Sequence, residues 1–299
     1  MGAALTVAPI PNTWAFDSSR EGYPMETSTD LYISLLKKTL SFSLWPEPPA
    51  PYGAFRRRKG PLAEAVIAGV TKIFAGRGLV IGIDRRLSAE AREGGEAWPG
   101  YADTMVGMKR LDNIDACVRT VIAEGVPGDF IETGVWRGGS CILMRGILKA
   151  HDVTDRRVFV ADSFEGLPPP EEGKYPADAG DKHHRYGFLA VSEEQVRENF
   201  RRYGLLDEQV VFLKGFFEDT LPDAPIDQLA ILRLDGDMYS STIQALESLY
   251  DKLSVGGFCI IDDYALAPCA KAVEDFRTAR GITDPLETID NISKFWRKT

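Results

Sequence analysis

From Gly128 onward the chain alternates short, unbroken apolar runs with longer stretches whose apolar positions recur every three or four residues. The runs are Asp129 to Thr133, Arg157 to Asp162, Val210 to Leu213, Gln228 to Asp235 and Phe258 to Asp262. They read as strands buried on both faces, as parallel strands are. The intervening stretches 139–150, 193–203, 240–253 and 268–279 read as helices. Strands alternating with helices predict an α/β fold, a Rossmann-like doubly wound and mostly parallel sheet. Two final short strands, near 286–290 and 292–297, are expected to close the sheet as a hairpin.

Before Gly128 the pattern is different. Residues 1–27 are rich in Pro, Gly, Ser and Thr and predict a loose arm, and 28–125 a helical N-terminal region ahead of the 126–299 domain. Leu31, Leu35, Leu36 and Leu40 mark one amphipathic helix, bounded by Pro46, Pro48 and Pro49. Leu62, Val66, Ile67, Val70, Ile73 and Phe74 mark a second, stopped near Gly76 and Gly78. Met108, Leu111, Val118, Val121 and Ile122 mark a third over about 107–124. All three stripes are expected to pack inward.

Composition narrows the function classes. With 44% hydrophobic and 26% charged residues, the 299-residue chain can build a sizeable enzyme core. A net charge of −9 excludes the basic face that nucleic acid requires and disfavours an anionic membrane surface. Arg56-Arg57-Arg58-Lys59 is then read as a solvated linker. Cys117, Cys141, Cys259 and Cys269 have no zinc spacing and are expected to be buried thiols, while three His exclude a His-rich metal site. No secretory signal or membrane-spanning run is apparent, so a cytoplasmic location is expected.

In open parallel sheets, ligands bind beyond the carboxyl ends of the strands, where the strand order reverses. The first strand runs into Glu132-Thr133-Gly134-Val135-Trp136-Arg137-Gly138-Gly139, whose glycines let backbone approach a ligand. This turn is neither Gly-x-Gly-x-x-Gly nor a phosphate-binding Gly-Lys-Ser/Thr loop, which lowers the case for NAD or ATP. Asp162, heading Asp162-Ser163-Phe164-Glu165-Gly166, stands where an acid accepts both ribose hydroxyls of an adenosine, a feature that NAD enzymes share. Phe216 and Phe217 follow the third strand and either flank an adenine or pack in the core. The fourth and fifth strands end in Leu234-Asp235-Gly236-Asp237 and Ile261-Asp262-Asp263-Tyr264. If adjacent, they bring three or four carboxyls to one rim, where some must protonate or bind a cation. All-oxygen ligands suit Mg2+, with Mn2+ or Ca2+ as alternatives; helix capping is the other use for such acids.

At these motifs, together with Thr104-Met105-Val106-Gly107-Met108-Lys109-Arg110-Leu111-Asp112-Asn113 and Asp30-Leu31-Tyr32, the chain closely resembles the macrocin O-methyltransferase family. The resemblance spans roughly 28–299, with 46–98 longer than in compact members. It implies an S-adenosylmethionine- and Mg2+-dependent O-methyltransferase acting on a sugar hydroxyl of a glycosylated natural product. Asp235, Asp262 and Asp263 would hold the metal, and Asp237 would be the general base. The turn from Glu132 through Thr133, Gly134 and Val135 to Trp136 would hold the methionine end of the cofactor. Asp162, with Ser163, Phe164, Glu165 and Gly166, would take the ribose, Phe216 and Phe217 the adenine, and Asp235 would touch cofactor and metal alike. Thr104, Met105 and Ser192 would close over it. The partners expected are a small glycoside acceptor and further copies of the chain in a homo-oligomer. Residues 168–192, with His183 and His184, read as a loop over the site. A sugar-modifying NAD-dependent oxidoreductase and a catechol-type O-methyltransferase are the alternatives.

Overall fold

The computed structural model describes residues 27–55, 61–79, 82–83, 88–96 and 100–299. The predicted arm (residues 1–26 of it) and the Arg56 to Lys59 run lie outside the described residues. The C-terminal part is built on a seven-stranded sheet made of β3 (Asp129–Thr133), β4 (Val158–Asp162), β5 (Val210–Lys214), β6 (Leu229–Leu234), β7 (Leu253–Ile261), β8 (Glu287–Thr288) and β9 (Lys294–Arg297). Their order across the sheet is β5-β4-β3-β6-β7-β9-β8. The first five are parallel, and β9 pairs antiparallel with β7 and with β8. The helices are α5 (Gly139–Ala150), α6 (Glu193–Arg202), α7 (Phe217–Thr220), α8 (Tyr239–Leu249) and α9 (Ala267–Arg280). The fold is α/β, a Rossmann-like doubly wound and mostly parallel sheet, with the antiparallel hairpin at one edge.

Two apolar layers hold the sheet. One face packs Phe130, Val158, Val160, Ile231 and Ile260 against α5 and the N-terminal helices; the other packs Ile131, Phe159, Leu232, Leu234 and Ile261 against α8 and α9. Alternation along each strand explains the split, since successive side chains point to opposite faces. α5 is nearly all apolar and is buried from Gly139 to Leu148. β7 starts five residues earlier than its apolar run, because Leu253 to Gly257 contain two glycines and an exposed Val255 that mask the pattern. Cys117, Cys141, Cys259 and Cys269 are all free and buried, as expected. Among the described residues, no helix is long and apolar enough to cross a membrane.

The N-terminal region departs from expectation in three ways. It is not purely helical: β1 (Ala50–Phe55) and β2 (Gly82–Ile83) pair antiparallel on either side of α2 (Pro61–Ala75). Second, the stripe of α2 is not packed inward, with Leu62 85%, Val66 62% and Ile73 60% exposed. Third, α1 (Ser28–Leu40) ends well before the prolines and buries Ile33, Leu36 and Leu40, while Leu31 and Leu35 face solvent. Threonine 27 stops α1 at its start with a capping box to Asp30. α4 (Met108–Ala123) follows the short α3 (Ala89–Glu93) and does turn Leu111, Val118 and Val121 inward. α1 and α4 pack on α5 and so bring the segment before α4 over the sheet's carboxyl edge.

Candidate active site

The sheet order reverses between β3 and β6, and the chain leaves both strands at the same edge. Glu132 pairs in register with Arg233, and Thr133 with Leu234. The turns beyond them are so close that a Cβ on Gly134 would lie 1.7 Å from the Asp235 carbonyl oxygen. Gly134 also has φ +86°, so both space and conformation demand glycine there. Three non-glycine residues in the left-handed region, Trp136, Phe164 and Asp237, follow β3, β4 and β6. Such backbone costs of order 1–3 kcal/mol each and is characteristic of functional turns. Above these turns opens a cavity of about 470 Å³, within the range of small-molecule sites.

On the β6–β7 side the cavity is acidic. Asp235, Asp262 and Asp263 each bring one carboxylate oxygen to within 4.8 Å of the others. Beneath them Arg233, fully buried, donates to Glu132, to Asp235 at 2.9 Å and to Asp262. Arg110 of α4 donates to the other Asp262 oxygen and to Asp290, both at 2.7 Å. Asp290, in the turn between β8 and β9, accepts amides from Ile292 and Ser293, and Ser293 donates to the Asp262 carbonyl. Six carboxyls, those of Glu132, Asp235, Asp237, Asp262, Asp263 and Asp290, thus face two guanidiniums. Burial pushes the carboxyls of Glu132, Asp235 and Asp263 upward, and their mutual repulsion adds to this. A buried cluster short of positive charge favours cation binding. Both Asp262 oxygens also serve arginines, but a carboxylate oxygen has a second lone pair to share. The donor set fits a hard divalent ion.

Asp237 lines the same cavity three residues past β6, and its backbone N–H donates to Asp263 at 3.0 Å. It does not cap α8. That task falls to Asp178, 1% exposed, which accepts the N–H groups of Tyr239 at 2.7 Å and Ser240 at 2.9 Å from the loop over the site. The side chain of Asp237 is left for the cavity. Burial raises its carboxyl to about 6, with His183 pulling down and Asp262 and Asp181 pushing up.

The β3–β4 side is built of backbone. Asp162 accepts the N–H of Val135 at 2.8 Å and of Phe164 at 2.7 Å, tying the two turns together, and its oxygens keep further lone pairs. Burial raises its pKa against these amide bonds. Trp136 Nε1 donates to the Phe188 carbonyl at 2.9 Å, pinning the far end of the loop. Thr104 and Met105 reach the cavity because Gly139 admits them: a Cβ there would lie 2.6 Å from the Thr104 Cβ. Glu132, Gly134, Val135, Trp136, Asp162, Ser163, Gly166, Phe216, Phe217 and Asp235 also line it.

Four expected cofactor contacts fall elsewhere. Ser192 is exposed and N-caps α6, accepting from Gln195. Glu165 is exposed, and Thr133 and Phe164 are buried beside the cavity rather than lining it, Phe164 against Phe212. Sequence reasoning missed Arg110, Arg233 and Asp178, and of the two histidines named in the loop over the site His183 lines the cavity while His184 does not. Arg233 carried a signal, as the one charge within the Leu229–Leu234 run; Arg110 stood in a quoted motif without a role.

Comparison with known proteins fits this geometry. The profile of the family described as Macrocin-O-methyltransferase (TylF) matches residues 29–298. An 8-demethyl-8-(2,3-dimethoxy-alpha-L-rhamnosyl)-tetracenomycin-C 4'-O-methyltransferase of Streptomyces olivaceus is 49% identical, over 92% of this chain and 95% of that protein. A demethyldecarbamoylnovobiocin O-methyltransferase of Streptomyces niveus is 49% identical, over 92% and 96%. The solved structure of the O-methyltransferase NovP is 47% identical, with a TM-score of 0.77, over 91% of this chain and 99% of that one. These relatives are all O-methyltransferases, and nothing among them supports the oxidoreductase alternative.

Proposed function

The chain belongs to the macrocin-O-methyltransferase family and is an O-methyltransferase, and from that premise we propose that it methylates a sugar hydroxyl of a glycosylated natural product, using S-adenosylmethionine and Mg2+. The observation that carries this reading is one cavity lined both by a backbone-built pocket and by Asp235, Asp237 and Asp262, with Asp263 converging on Asp235 and Asp262 from beside it. Relatives whose names specify a rhamnosyl 4'-O-methyltransferase and a mycinamicin III 3''-O-methyltransferase support the sugar acceptor.

The turn from Glu132 to Trp136 would take the methionine end of the cofactor, with Asp162 at the ribose and Phe216 and Phe217 beside the adenine. Their places around one cavity support this assignment. A divalent ion at Asp235, Asp262 and Asp263 would supply a Lewis acid that lowers the hydroxyl pKa and fixes its approach. Asp237, ionised, takes the hydroxyl proton as oxygen attacks the methyl group. Arg233 and Arg110 keep the aspartates aimed at the cavity, because Arg233 bonds three carboxylates and Arg110 two, each set drawn from different segments. Thr104 and Met105 cover the cofactor and keep water from the reacting oxygen.

The test is a panel of glycosides with their bare aglycones, incubated with S-adenosylmethionine at graded Mg2+ and read by a 14-dalton mass gain, roughly one methylene. Methylation is expected on the sugar alone, and Asp263→Asn is expected to lose the Mg2+ response while S-adenosylhomocysteine still binds. Methylation of an aglycone phenol would replace the acceptor, and full activity after chelation would remove the metal.

A further inference from the structure

Part of the cavity has apolar sides, with Leu167, Pro168 and Pro169 supplied by the loop over the site and Phe216 and Phe217 by the turn after β5. Where the loop meets α7 and α8, polar groups take over. Tyr175 of the loop, Glu218 of α7 and Gln244 of α8 all line the cavity there. Gln244 Nε2 donates to a Glu218 carboxylate oxygen at 3.2 Å and to the Tyr175 hydroxyl at 3.4 Å. Lys174 Nζ donates to the same Glu218 oxygen at 2.9 Å, so a cation balances that carboxylate.

These contacts decide which way the Gln244 amide points. A carboxylate has no proton to give, so the amide turns its NH2 group toward Glu218 and its carbonyl oxygen away. Both N–H bonds of that group are then spent, on Glu218 and on Tyr175. Oε1 is the one polar atom that Gln244 has left to offer a ligand, and it has no partner among the described residues. The second carboxylate oxygen of Glu218 has none either, since both of its donors use the first. Tyr175 is itself anchored. Its carbonyl accepts the Asp178 N–H at 3.0 Å, and Asp178 caps the helix that carries Gln244. One stretch of cavity wall is therefore apolar at its sides and rich in fixed acceptors at one end.

An adenine has the complementary character. Its faces pack on apolar and aromatic side chains, and its edge carries an exocyclic amine that gives two protons. We propose that Gln244 reads the exocyclic amine of the cofactor's adenine through Oε1, which makes it a specificity-determining residue for an adenosine over an inosine cofactor. Glu218 and Tyr175 are positioning residues that act through Gln244 by holding its amide in one orientation. An inosine carries a carbonyl oxygen in place of the amine. It would set acceptor against acceptor and gain no bond. The inference rests on the reading of the cavity as an S-adenosylmethionine site with its adenine beside Phe216 and Phe217.

Calorimetry on the full chain with S-adenosylhomocysteine and S-inosylhomocysteine tests the assignment without turnover. The wild type is expected to favour the adenosine ligand by about 10- to 100-fold, the worth of one or two partly exposed hydrogen bonds. Gln244→Leu, which a helix accommodates, should weaken S-adenosylhomocysteine by about 10-fold and leave S-inosylhomocysteine unchanged, so that the preference collapses. Glu218→Ala frees the amide to turn and should lower the preference by less. A wild type without preference would overturn the assignment, as would a preference that survives Gln244→Leu. Equal weakening of both ligands in Gln244→Leu would also overturn it and make Gln244 a structural residue. A wild type that binds neither ligand would instead remove the cofactor reading, and the adenine contact with it.

Discussion

On the β3–β4 side the cavity is walled by turns whose useful groups are backbone amides, drawn together by Asp162 and by glycines that tolerate close approach. On the β6–β7 side it is walled by carboxylates, three of them converging and two arginines beneath. On the proposed reading, the first wall recognises by shape and is set once the chain has folded. The second stores unbalanced charge, which a cation, a sulfonium or a proton relieves. Binding and chemistry are therefore expected to separate under mutation, wall by wall.

The largest effect should come from Gly134, where the walls touch. Gly134→Ala would place a methyl group against the Asp235 carbonyl in a backbone conformation that alanine rarely adopts. A loss of more than about 4 kcal/mol is expected, together with both cofactor binding and turnover, measured by denaturant unfolding and calorimetry. A stable variant with normal cofactor affinity would mean that the two turns are not held as close together as described.

A medium effect should appear with pH, read most directly at Asp237 on the acidic wall. Asp237, raised to about 6 from 3.8, binds its proton more tightly folded than unfolded. Its contribution to the stability of the metal-free protein is therefore full below about pH 4 and is lost as pH rises through about 6. The size is about 3 kcal/mol. The stability difference between wild type and Asp237→Asn, followed from pH 4 to 8, should move in favour of the mutant. Asp162→Asn on the amide wall should show the same sign, because burial raises that carboxyl too. A difference that is flat with pH would show that Asp237 is not strained by burial.

The smallest effect is expected at Ser192, which the family resemblance assigned to the cofactor. As the N-cap of α6 it should cost ~1 kcal/mol on Ser192→Ala, with S-adenosylhomocysteine affinity unchanged. Weakened cofactor binding would bring it back into the pocket.

The parallel strands and their helices were legible because burial on both faces leaves unbroken apolar runs bounded by helical periodicity. The acids at the strand ends were legible for a related reason, since charges at the edge of an apolar run must be there for a purpose. What escaped were the partners supplied from far along the chain. Nothing in the spacing ties Asp178 to Tyr239 or Arg110 to Asp290, which are brought together only by the loop and by α4. The apolar stripe of α2 shows the opposite failure: periodicity names a helix but not what covers it.

The central claim is that Asp237 performs chemistry while the opposite wall performs binding. Single-turnover methylation by Asp237→Asn, measured with S-adenosylhomocysteine affinity and Mg2+ affinity on the same preparation, tests it directly. The account predicts a rate lower by ~10²- to 10⁴-fold with both affinities near wild type. A mutant that turns over at the wild-type rate, or one that is inactive because it no longer binds the cofactor, would contradict it.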